Sequence, residues 1–188
     1  MRVTKAQAQA NRALIVETAS TLFRDRGYDG VGVADLMAAA GFTHGGFYKH
    51  FGSKADLMAE AAACGISKTL ERSSDVDAAT FFKFYVSRQH RDARGPGCTM
   101  AALGGDAARQ PDQIKAIFAD GIEGLLATLQ QQDGSRSQEA RAQMIGQLAQ
   151  AVGAIVLSRA CPDDSALADE IIDACRVQIL AAFPEKAD

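Results

Sequence analysis

VADLMAAAGFTHGGFYKHFGSK, residues 33–54, reads as two short helices joined by a tight turn, with a lysine at the start of a third. Leu36, Met37, Phe42, Phe47 and Phe51 recur at spacings that gather them into a small apolar core. The positions between them, Thr43, His44, Gly45, Tyr48, Lys49 and His50, then face outward on the second helix. This is the layout of a helix-turn-helix whose second helix enters a DNA major groove. A bare pair of small core helices would share the spacing, so the choice of residues decides. Gly45 and Gly46 sit inside a short helix, where each costs about 1 kcal/mol relative to Ala. A helix built for stability alone would not place them there, whereas one that presses its backbone against DNA can use them. Thr43, His44, Tyr48, Lys49 and His50 all carry donors suited to phosphates or base edges. Lys54 opens the next helix, at an anion-friendly end.

Charge supports the same head. Residues 1–54 carry seven Lys and Arg, Arg2 among them, against four acidic side chains, a net +3. Residues 55–188 carry thirteen basic against nineteen acidic side chains, a net −6. Because fields are screened within roughly 10 Å at 0.1 M salt, a basic head on an acidic body is compatible with local DNA contact.

The remaining chain, of 188 residues in all, is helix-rich, with no run of alternating apolar and polar residues. A first long helix carries Leu14, Ile15, Ala19, Leu22 and Phe23 and stops at a left-handed Gly27 cap. Gly41 ends the first short helix, and Thr43 is a suitable N-cap for the next. Ser53 to Asp56 has capping-box spacing ahead of a linking helix from Lys54 to about Arg72. Phe81, Phe84, Tyr85 and Arg88 continue at helical spacing after a polar break. Shorter helices follow near residues 100–110 and 114–132, with a turn at Asp133, Gly134 and Ser135. Two long helices close the chain. One, near 138–160, bears the stripe Ile145, Leu148, Val152, Ile155 and Val156. The other, starting near 164 and ending before Pro184, bears Ile171, Ile172, Cys175, Ile179 and Phe183.

No stretch is long and apolar enough to cross a bilayer, and the N-terminal sequence lacks a signal-peptide apolar region, which predicts a cytoplasmic protein with no membrane partner. Cys64, Cys98, Cys161 and Cys175 are widely spaced, so packed or free thiols are expected, with no disulfide framework and no metal site. No HExxH, phosphate loop, Ser/His/Asp cluster or matched carboxylate pair is present, so no catalytic residue and no cofactor is assigned.

Residues 42–57, FTHGGFYKHFGSKADL, resemble the signature of TetR-family transcriptional regulators, in which an aromatic-Tyr-x-His/Tyr-Phe run precedes x-Ser/Asn-Lys-x-Asp/Glu-Leu. The end of the first helix, FRDRGY at 23–28, resembles that family too, and the likeness spans roughly residues 11–65. It implies an all-α homodimer, with a three-helix head at 1–53 and a body of roughly six helices at 54–188 for ligand binding and dimerisation. Carried over by position, Thr43, Tyr48 and Lys54 contact phosphates, His44, Gly45 and Lys49 lie nearest base edges, and His50 neighbours phosphate. Gly32 stands where the family usually has a Ser or Thr that caps the first short helix and touches phosphate.

The expected function is a DNA-binding regulator, a repressor released from a palindromic double-stranded operator by an unknown small-molecule effector. Phe82, Tyr85, Met100 and Phe118 are the candidate pocket residues, and the two last helices, with small residues such as Gly146 and Gly153, the candidate dimer interface. Cys98 lies in the run GPGCTMAAL, residues 95–103, which resembles a Gly-Cys-x-x-Ala-Ala-Leu element of one subset of these regulators. At a helix start its thiol is a candidate redox or electrophile sensor, set against simple packing. An all-helical enzyme and a protein-binding adaptor are the rival classes.

Overall fold

The structure, a computed structural model, describes residues 4–133 and 137–183, and among these every regular element is helical. Arg2, the turn at Gly134 and Ser135, and Pro184 lie outside the described residues. Helix α1 spans Lys5–Arg26 and starts where Thr4 Oγ1 accepts the Gln7 N–H at 3.2 Å. It ends at Gly27, whose φ of +74° is the expected positive value, while its ψ of 167° is extended and not left-handed helical. Helix α2, Val33–Ala39, is headed by Gly32, which has no side chain to cap with; the Asp35 carboxylate instead accepts the Gly32 N–H at 3.2 Å. The next element, His44–Lys49, is a six-residue 3-10 helix, a tighter winding than the expected α-helix. Two glycines and so few residues give little α propensity, and 3-10 winding is common in such short pieces.

Helix α3, Lys54–Ser73, begins with Ser53 Oγ accepting the Asp56 N–H at 3.1 Å, the forward half of the expected capping box. The helix expected through Phe81 to Arg88 is broken. Helix α4 is Ala78–Tyr85 and α5 is Arg88–Asp92, with Ser87 Oγ capping α5 through the His90 N–H at 3.2 Å. Helices α6, Thr99–Ala107, α7, Asp112–Asp133, α8, Gln138–Ala160, and α9, Ala166–Leu180, complete the order.

The chain forms two compact units. The first holds residues 4–68 and Cys98–Gly121; the second holds Thr69–Gly97 and the residues from Ile122 onward. In the first, Ile15, Phe23, Tyr28, Leu36, Met37, Phe47 and Leu57 are buried in one cluster with Leu103, Ile114 and Phe118. The core beneath the short helices therefore includes α6 and the first part of α7, residues far away in sequence.

In the second unit α8 and α9 form the largest helix pair, joined at the surface by Gln150 and Gln178. Buried Arg91 pairs with Asp92 and Asp169, and Arg159 on α8 donates to the carbonyls of Arg91 and His90 at 2.9 and 2.7 Å. The α8 stripe turns out to be split, while α9 keeps its stripe at least partly buried and carries further apolar residues outside it. Leu148, Ile155, Ile172 and Ile179 are buried inside the protomer, while Ile145, Val156, Leu157, Leu167 and Val177 are exposed.

Candidate nucleic-acid interface

The row Thr43, His44, Gly45, Tyr48 and Lys49 is exposed on the 3-10 helix, with Tyr48 at 70% exposure. Thr43 heads this helix without its side chain accepting a backbone N–H, contrary to the expected cap. The row is held from below. Phe47 and Phe51 are buried with ring centroids 5.5 Å apart, and Phe47 meets the Tyr48 ring edge-on at 5.2 Å. His50, half-buried, sits 6.4 Å from the Phe42 ring.

Arg12, on α1, fastens the far end of this helix. The Arg12 guanidinium lies 4.6 Å over the Phe51 ring, donates from Nε to the His50 carbonyl at 3.3 Å, and pairs with Glu60 on α3. One side chain of α1 thus joins the end of the 3-10 helix to α3. A lone arginine near a helix start carries no sequence signal for this.

The glycines of the row are not demanded by the fold. Neither Gly45 nor Gly46 has a positive φ. A Cβ on Gly45 would meet nothing within 4 Å, and one on Gly46 would make ordinary contacts at 3.6 and 3.7 Å. Packing beneath the row therefore does not require glycine at either position.

Lys54 is half-buried, and its Nζ donates to the Tyr28 carbonyl at 2.6 Å. An ammonium has three donors, so this bond leaves others for a phosphate. Of the pocket residues, all buried, Phe82 and Tyr85 belong to the second unit, and Met100 and Phe118 to the first. Within the second unit Phe82 stacks near Phe81 and Phe183, and Tyr85 near Phe81 and His90. Cys98 is 4% exposed at the start of α6, and no disulfide joins the four cysteines. Among the described residues no group of three or more His, Cys, Asp or Glu is placed to hold a metal. No helix there is long and apolar enough to cross a membrane.

Comparison with known proteins agrees with this geometry. Residues 15–61 match the family described as bacterial regulatory proteins, tetR family. The HTH-type transcriptional regulator TtgR of Pseudomonas putida is 43% identical over 58 residues, 31% of this chain and 28% of TtgR. The HTH-type regulator AcrR of Shigella flexneri is 39% identical over 59 residues, 31% of this chain and 27% of AcrR. The chain thus spans under a third of the length of the curated relatives it matches. The fold likeness is longer. The reduced form of Escherichia coli NemR superposes with a TM-score of 0.75 at 18% identity, covering 94% of this chain and 100% of that one. A TetR-family regulator from Cytophaga hutchinsonii gives 0.71 at 18% identity, covering both chains fully. Over residues 15–61 the chain thus matches the tetR family of bacterial regulatory proteins, and its all-helical fold is like that of TetR-family regulators of known structure.

Proposed function

We propose that this chain is a dimeric, cytoplasmic DNA-binding transcriptional regulator, a repressor that leaves a palindromic operator when a small molecule binds its body. The observation that carries the reading is the exposed row from Thr43 to Lys49, with two glycines that the interior does not require. One such row per chain and a two-fold pair of chains suit two half-sites about one helical turn apart.

The dimer is supported by the outer faces of α8 and α9. Ile145, Ala149, Val156 and Ala160 are exposed with Val152 and Gly153 partly so, an apolar and small-residue stripe on a long helix. Leu167 and Val177 give α9 a similar exposed face. The relatives' names support regulation of transcription and leave the effector open. Phe82 and Tyr85, beside Phe81 in the second unit, are the residues proposed to meet an apolar effector. Burial of Cys98 favours such an effector over a thiol trigger, and Cys98→Ser should leave release unchanged.

The experiment is selection of duplexes from a randomised pool by the full chain, followed by titration of the selected duplex against an unrelated one at two salt concentrations. Enrichment of an inverted repeat, bound at two chains per duplex, supports the reading. Equal binding to every duplex, or to none, overturns it.

A further inference from the structure

The backbone of Tyr28 is held from two helices, through the peptide group on each side of its Cα. Its N–H donates to Asp106 Oδ2 on α6 at 3.3 Å, and its carbonyl accepts from Lys54 Nζ, at the start of α3, at 2.6 Å. Gly27 makes room for the first of these. Its φ of +74° suits glycine, and a Cβ there would lie 3.1 Å from the same Asp106 oxygen. The other Asp106 oxygen accepts from Arg109 Nη2 at 2.8 Å. Tyr28 is fully buried, edge-on to Phe23 at 5.1 Å, and its hydroxyl bonds to none of the described residues. The polar anchoring of this residue therefore runs through its backbone.

Tyr28 and Lys54 bracket α2 and the 3-10 helix in the chain, so the bond between the Tyr28 carbonyl and Lys54 ties the two ends of that segment together. The carboxylate that holds the Tyr28 N–H belongs to α6, a helix that follows directly on residues 69–97 in the chain. We propose that Asp106 is a positioning residue for DNA binding: without touching DNA, it sets how the 3-10 helix is presented and gives α6 a grip on operator affinity. The inference rests on the DNA-binding reading above.

The test compares wild type with Asp106→Ala, Asp106→Glu and Asp106→Asn, using the duplex that wild type selects and an unrelated duplex of equal length. Asp106→Ala should bind the selected duplex about 5–50-fold more weakly, within the range of ordinary coupling between sites. Its affinity for the unrelated duplex should be unchanged or slightly raised, and its salt slope unaltered, since no phosphate contact is lost. The Tyr28 amide should exchange with solvent faster. Asp106→Asn, whose side-chain oxygen can still accept that N–H, should rescue specific binding. If Asp106→Ala does not fold, Asp106→Glu carries the test, because a longer carboxylate keeps the charge and misplaces the peptide. Folded variants that bind the selected duplex like wild type, or lose affinity for both duplexes equally, overturn the proposal. A wild type that selects no duplex overturns the DNA-binding reading and this proposal with it.

Discussion

Two glycines show how differently one residue type can act in this chain. Gly65 on α3 is buried, and a Cβ there would lie 2.2 Å from Thr99 Oγ1 and 2.4 Å from Arg24 Nη1. The buried Arg24 guanidinium, bonded to Ser20 Oγ, occupies the space a side chain would need. Gly65→Ala should therefore cost about 1–3 kcal/mol by overpacking, read as a lower denaturant midpoint at constant slope. Gly45→Ala should change stability by less than about 0.5 kcal/mol, because its Cβ meets open space. It should nonetheless weaken binding of the selected duplex, by about tenfold or ~1.4 kcal/mol if the backbone approaches a base or phosphate closely. A Gly45→Ala variant with wild-type affinity would remove the close approach from the account. The outward row was legible in the sequence because aromatic residues marked the inward positions. Arg12, Asp106 and Gly65 were not, since each acts through partners tens of residues away.

At the scale of elements, the helices were legible and their inner and outer faces were not. The break between α4 and α5 escaped notice because Phe81, Phe84, Tyr85 and Arg88 keep helical spacing across it. The Ser87 cap was visible but had no proline or glycine beside it. The α8 stripe has the spacing of a single face, yet Leu148 and Ile155 are buried while Ile145 and Val156 are exposed, and on α9 the exposed Leu167 and Val177 lie outside the stripe. The difference gives a clean test of the dimer. Val177 is 68% exposed, so Val177→Glu should leave a folded chain that sediments as a monomer. Ile155 is fully buried, so Ile155→Glu should unfold the protein, at a cost above about 4 kcal/mol for an unpaired interior charge. A second test concerns His90. Burial pushes its pKa below the ordinary 6.5, opposed by its ring bond to the Tyr85 carbonyl and assisted by Arg159 and Arg72. The unfolded chain therefore takes up this proton at a higher pH than the native one. The neutral ring's contribution to stability is complete above about pH 6.5 and is lost as pH falls toward the native value. Melting temperature against pH between 7 and 5 should show the decline, and His90→Asn, which does not titrate, should flatten it. Parallel curves for the two proteins would exclude His90 as the cause.

On the scale of the molecule, the sequence separates a basic head from an acidic remainder at about residue 54, while compactness in the structure is arranged otherwise. The first unit adds Cys98–Gly121 to the head, because Leu103, Ile114 and Phe118 complete its core and Asp106 holds its first loop. A boundary drawn from charge and a family signature has no access to that closure, which depends on contacts across more than forty residues. On the proposed DNA-binding reading, charge sets the salt dependence to expect. If Lys49 and Lys54 both meet phosphates, the proposed dimer presents about four ammonium groups to them. Raising salt from 50 to 200 mM should then weaken binding on the order of 100-fold, from a slope near −0.9 per phosphate neutralised. Lys49→Gln should lessen that slope by about one for each subunit if Lys49 neutralises a phosphate. If Lys49 reads a base edge instead, the slope should hold and the preferred sequence should change. Repeating the duplex selection with Lys49→Gln decides between them, since a phosphate contact leaves the selected sequence as it was and a base contact relaxes it at one position of each half-site.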